Sequence, residues 1–78
     1  MIEKLSERDR QIVALLLRGW DNKAIAGQLG MPLRTVKAHF HRMFRQFGIT
    51  TGIKRVKLAV LMYNAQLRKE ENEKCLAL

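Results

Sequence analysis

Between Pro32 and Phe47 the apolar residues recur at helical spacing: Val36, Phe40, Met43, Phe44 and Phe47 share one narrow arc of a helical wheel. The opposite arc carries Arg34, Lys37, Ala38, His41 and Arg45, with Arg42 at its edge and no acid anywhere on it. The pattern predicts a helix with an apolar back and a basic front. Further helices flank it. Leu5-Ser6-Glu7-Arg8-Asp9 reads as a helix start, with Ser6 as cap and two acids near the positive end of the helix dipole. Ile12, Val13, Leu15, Leu16 and Leu17 give this first helix a wide face for the core, and Gly19 ends it. Trp20, just past the turn, is expected to plug the core. Asp21 caps a short second helix that points Ile25, Ala26 and Leu29 inward and stops at Gly30.

The spacing of the second and third helices predicts how they meet. A small Ala26 lets them approach, Gly30 makes the tight turn, and β-branched Val36 locks them from the other side. This is the helix-turn-helix arrangement, in which the second helix of the pair is held out to enter a groove. Gly48 to Gly52 is a connector with Ile49 tucked beneath it, and a fourth helix runs from about Ile53 to Leu67 or beyond. That helix has two apolar stripes. Ile53, Val56, Val60, Tyr63 and Leu67 lie on one side; Leu58, Leu61, Met62 and Ala65 lie nearly opposite. A three-helix body can cover one stripe, so the other calls for a second copy related by a two-fold axis, unless both are half-covered within one chain. Leu58, Leu61, Met62 and Ala65 are the expected dimerisation set.

Charge narrows the choice of partner. The 78 residues suit one small domain, 47% hydrophobic and 28% charged, with a net charge of +8. From Asn22 to Lys69 there is no Asp or Glu but ten Lys and Arg. A block of this kind predicts a polyanionic partner, a balance also met in ribosome-bound and membrane-surface proteins. An α-helix with a basic front has the width of the major groove of duplex DNA. No apolar run exceeds six residues, so neither a membrane span nor a signal sequence is predicted. Cys75 is the sole cysteine, which excludes an internal disulfide and a multi-cysteine zinc site and fits a reducing, cytoplasmic setting.

Catalytic chemistry finds no footing. His39 and His41 are two apart on a helix and point to different sides, poor geometry for sharing a metal, and neither has a carboxylate close in sequence to orient it. Ser6 is the sole serine and serves better as a cap than as a nucleophile. The glycines lack phosphate-loop spacing. The expectation is a protein that is not an enzyme and needs no cofactor or metal.

Several linked motifs stand in a familiar order: Leu5-Ser6-x-Arg8-Asp9, Gly19-x-x-Asn22-Lys23-x-Ile25-Ala26, Leu29, Thr35-Val36-Lys37-x-His39 and Phe47-Gly48-Ile49. From Leu5 to about Val60 the chain resembles the LuxR/GerE-type helix-turn-helix domain of bacterial transcription regulators. The resemblance implies an all-α, four-helix DNA-binding fold whose third helix enters the major groove and whose fourth makes the dimer contact. It places base-reading positions on Lys37, Ala38 and His41 and phosphate contacts on Lys23, Thr35 and His39. Arg34, Arg42 and Arg45 join them from charge and face alone. Pro32 stands where the family has a capping serine and is expected as the first helical residue. Ala24 replaces an acid that would have completed a capping box with Asp21.

Residues 1–67 are therefore expected to form the DNA-binding domain, with 68–78 a polar tail that extends the last helix or frays. The expected function is sequence-specific binding of double-stranded DNA, at an inverted repeat, by a homodimeric transcription regulator. It is either free-standing or part of a longer chain, with RNA polymerase as a possible further partner. Two alternatives keep the same residues: a sigma region-four-like promoter-binding domain, and a protein-interaction module that uses the fourth helix and needs no DNA.

Overall fold

The computed structural model describes residues 5–77, with side-chain surroundings given for residues 5–69. Its elements in chain order are α1 (Glu7–Leu17), α2 (Asn22–Leu29), α3 (Leu33–Gln46) and α4 (Lys54–Ala77), with no strand among the described residues. The all-α architecture is the one the hydrophobic pattern predicts.

Local chemistry sets the helix boundaries. Ser6 stands at the N-cap of α1 in extended conformation, and its hydroxyl accepts from the Asp9 amide at 3.1 Å. Asp21 does the same for α2, its carboxylate accepting from the Ala24 amide at 2.8 Å. Gly30 closes α2 in the left-handed region at φ 64°, and the Met31 amide bonds the Ala26 carbonyl at 2.9 Å. That closure turns the chain sharply enough for α3 to begin three residues later. Pro32 is the N-cap of α3 and not its first helical residue, with φ −61° and ψ 145°. Its ring prevents any side-chain cap, so the helix starts on the preset φ alone.

The core draws on all four helices. Leu5, Ile12, Val13, Leu15 and Leu16 come from α1 and its lead-in, Ile25 and Ala26 from α2, and Val36, Phe40, Met43 and Phe44 from α3. α4 contributes Leu58 and Met62, each fully buried. Trp20, Leu29, Phe47 and Ile49 are partly buried and pack around this centre, as their positions in the sequence suggest.

Much of the expected dimerisation set of Leu58, Leu61, Met62 and Ala65 is taken up within the single chain. Leu58 and Met62 are 0% exposed within a single chain, and Leu61 is partly buried against the core. The stripe left uncovered is the other one: Ile53, Val56, Val60, Tyr63 and Leu67 are 38–71% exposed. Periodicity separates the two faces of a helix but cannot say which one the body takes. Packing settles it, because the Leu58–Met62 side is the one buried in the core between α4 and the other helices.

α4 runs on through the polar segment to Ala77, so the chain after Arg68 prolongs the helix. The surroundings of Cys75 lie outside the described side chains.

Candidate nucleic-acid interface

α3 lies across the body with its two faces sharply separated. Val36 and Met43 are completely buried, and Phe40 and Phe44 nearly so, with their rings 6.1 Å apart. Four large side chains along one arc fix the rotation of the helix about its axis. The opposite arc must then face outward, and Arg34, Lys37, Ala38, His41 and Arg45 are all exposed. Among the described residues, no carboxylate pairs with Arg34, Lys37, His41 or Arg45. His41 also meets the edge of the Phe44 ring at 6.1 Å, which limits its freedom at the surface.

Beside this face runs an open groove between α3 and the connector to α4. Ala38, His41, Arg45, Ile49, Thr50 and Lys54 line it. Its floor is apolar and its rim is cationic. The arrangement offers positive charge on either side of a shallow trough, which suits a polyanionic strand better than a small molecule.

The remaining cations are not equivalent. Asp9, on α1, is the one buried charged residue among those described, 3% exposed. Its Oδ1 lies 2.7 Å from Nδ1 of His39, and Nη2 of Arg42 bonds both its oxygens at 3.1 and 3.3 Å. Burial pushes the Asp9 carboxyl up, but hydrogen bonds from His39, Ser6 and Arg42, with the Arg42 charge, more than offset it and hold the group below its ordinary value. An ionised Asp9 accepts, so the Nδ1 proton of His39 points at it. The carboxylate that the sequence did not place near His39 arrives from 30 residues away.

Arg55 is also internal. Its guanidinium donates to the Trp20 carbonyl at 2.9 Å and to Oδ1 of Asn22, and it stands over the Phe40 ring at 4.8 Å. The cations at the start of α4 suggest a phosphate neighbour on charge alone; Arg55 instead ties α4 to the loop between α1 and α2. Lys57 donates to Thr51 Oγ1 at 3.3 Å.

The family model "GerE: Bacterial regulatory proteins, luxR family" matches residues 3–62. The chain belongs to the LuxR family. A curated relative, described as the probable transcriptional regulatory protein SgaR of Hyphomicrobium methylovorum, is 34% identical over 59 residues. That alignment takes in 76% of this chain and 28% of the relative, so the chain spans little more than a quarter of that protein's length. No solved structure matches the chain. LuxR-type domains are DNA-binding helix-turn-helix regulators, and α2, the Gly30 turn and α3 form that unit here.

Within this LuxR-type domain the sequence-predicted residues divide into three groups. Arg34, Lys37, Ala38, His41 and Arg45 come together on the free face of α3. Lys23 is exposed at the start of α2, and Thr35 is half-buried at the start of α3. His39 and Arg42 form the edge nearest α1, both engaged with Asp9. Asp9 and Arg55 also shape the site, through contacts that local sequence does not mark. In sequence, Asp9 is a helix-start acid and Arg55 one cation among several, and only the packing of α1 and α4 against α3 gives them partners. No helix among the described residues is long and apolar enough to cross a membrane.

Proposed function

We propose that this chain binds double-stranded DNA as a homodimer and regulates transcription in the bacterial cytoplasm, with α3 in the major groove. The observation that carries this reading is the exposed face of α3, on which Arg34, Lys37 and Arg45 have no carboxylate partner among the described residues. Lys37 and His41 are the proposed base readers, and Ala38 is small enough to sit against a thymine methyl. Arg34, Arg45, Lys23 and Thr35 are proposed to meet phosphates, which supply most of the affinity and fix the register. The exposed stripe of Val56, Val60, Tyr63 and Leu67 is the proposed dimer contact, in place of the buried set. An isologous pairing of α4 would present two copies of α3 to an inverted repeat with half-sites roughly one helical turn apart.

Selection of bound sequences from a random duplex pool tests the proposal. A guanine-bearing inverted repeat is expected, with a log–log salt slope near about −7 if each subunit meets roughly four phosphates. Lys37→Ala should cost about 1–3 kcal/mol and relax selection at one base pair of each half-site. Equal affinity for scrambled duplex, or binding indifferent to salt, would refute it. A protein-interaction module would keep its activity when Lys37 and His41 are both alanine.

A further inference from the structure

The Asp9 cluster sits at the edge of the proposed DNA-binding face, yet an acid there opposes a polyanion. Its geometry resolves the conflict. All contacts from Arg42 to Asp9 and His39 run from Nη2, leaving Nη1 and Nε without a described protein partner, and the Arg42 side chain is 56% exposed. His39 turns Nδ1 to Asp9, while its Nε2 has no described partner and still reaches solvent. Each outer side chain therefore commits one nitrogen to the carboxylate and leaves another facing outward. The two are one turn apart on α3, with Arg42 Nη2 2.8 Å from His39 Nδ1. Two donors this close hold together because they converge on the same oxygen; without it they would repel or rearrange.

We propose that Asp9 is a positioning residue that holds Arg42 and His39 as a preformed two-pronged clamp for a single DNA backbone phosphate. Buried between α1 and α3, it gives two side chains, one of them long and mobile, a fixed aim before DNA arrives. The ordering that binding would otherwise impose on them is already done. A phosphate oxygen meets Nη1 or Nε of Arg42 and the outward Nε2 edge of His39. In the unbound protein the Asp9 carboxylate holds Arg42 Nη2 and His39 Nδ1 side by side on one oxygen. This rests on the DNA-binding reading and adds to it a residue that never touches the nucleic acid.

The test turns on a sign. Asp9→Asn raises the net charge, and if Asp9 were only an acid near DNA, its neutralisation would tighten binding. As a positioning residue it should instead weaken binding to a mixed-sequence duplex on the order of tenfold, the scale expected when two side chains must be ordered anew. In an Arg42→Gln, His39→Gln background the same substitution should cost nothing. Arg42→Gln should also flatten the salt slope by about 0.9 per subunit, the share of one phosphate. Circular dichroism identifies the variants that remain folded. If Asp9→Asn does not fold, the cycle of Arg42→Gln and His39→Gln in the native background decides, because a shared phosphate requires non-additive losses. Tighter or unchanged binding by folded Asp9→Asn, an equal loss in the double-glutamine background, or additive losses in the cycle would overturn the clamp. Failure of the wild-type protein to bind duplex in a salt-dependent way would instead overturn the DNA-binding reading itself.

Discussion

Replacing Arg55 separates a structural cation from a DNA-contacting one. Its guanidinium donates to the Trp20 carbonyl and the Asn22 side chain and covers the Phe40 ring, so Arg55→Met removes all three contacts while keeping most of the stem. Hydrogen bonds from a charged donor are worth roughly 1.5–3 kcal/mol where shielded, and a part-exposed cation–π contact about 0.5–1 kcal/mol. Arg55 is half-buried, so solvent takes back part of this, and about 2 kcal/mol is the expected loss. For a domain this small that lowers the melting temperature by roughly 10 °C. Arg55→Lys keeps the charge but not the fork and should recover less than half of the loss. The assay is thermal unfolding followed by circular dichroism at one fixed protein concentration, since association would also raise the apparent stability. It is paired with a salt titration of duplex binding at a temperature where every variant is folded. The salt slope should not change. An unaltered melting temperature together with a slope reduced by about 0.9 per subunit would show that Arg55 holds a phosphate, and the structural account would fail.

Three further outcomes follow from the packing. Met62→Ala should cost about 2–5 kcal/mol by opening a cavity in the core, whereas Val60→Ser should leave monomer stability nearly intact and weaken self-association in sedimentation experiments; a reversal of these effects would return the dimer contact to the buried stripe. Asp9 titrates below its unfolded value of about 3.9, so its contribution to stability is complete above that pH and disappears as pH falls through the folded value. The stability gap between wild type and Asp9→Asn in urea titrations should therefore shrink as the pH is lowered from about 6 to about 3, and a constant gap would refute the ion-pair account. Gly27 lies on the exposed side of α2 with open space where a side chain would stand, so Gly27→Ala should stabilise the domain by about 0.5–1 kcal/mol in the same titrations.

The helix count, the caps at Ser6 and Asp21, the Gly30 turn and the division of α3 into buried and basic arcs were all legible in the sequence. Each depends on residues within a few positions of one another, where helical geometry alone decides the outcome. What was not legible depends on contacts across the chain. Two apolar stripes on α4 are equivalent to any periodicity argument, and only the shape of the body chooses Leu58 and Met62 for the interior. The Asp9–His39 pair closes over 30 residues and the Arg55–Trp20 contact over 35, beyond the reach of local spacing. Charge counting treats every arginine alike; burial and partners then assign Arg55 to the scaffold, Arg42 to an edge and Arg34 to the free face.

α4 keystones the fold with Leu58 and Met62 while offering Val56, Val60 and Tyr63 to the outside. The inward residues can stay fixed while the outward ones vary, so the proposed pairing could be strengthened or weakened without disturbing the core. On the proposed reading, in which two copies share one operator, that strength sets the dose response. Where pairing is weak, occupancy climbs with the square of cellular abundance; where it is tight, the response is linear.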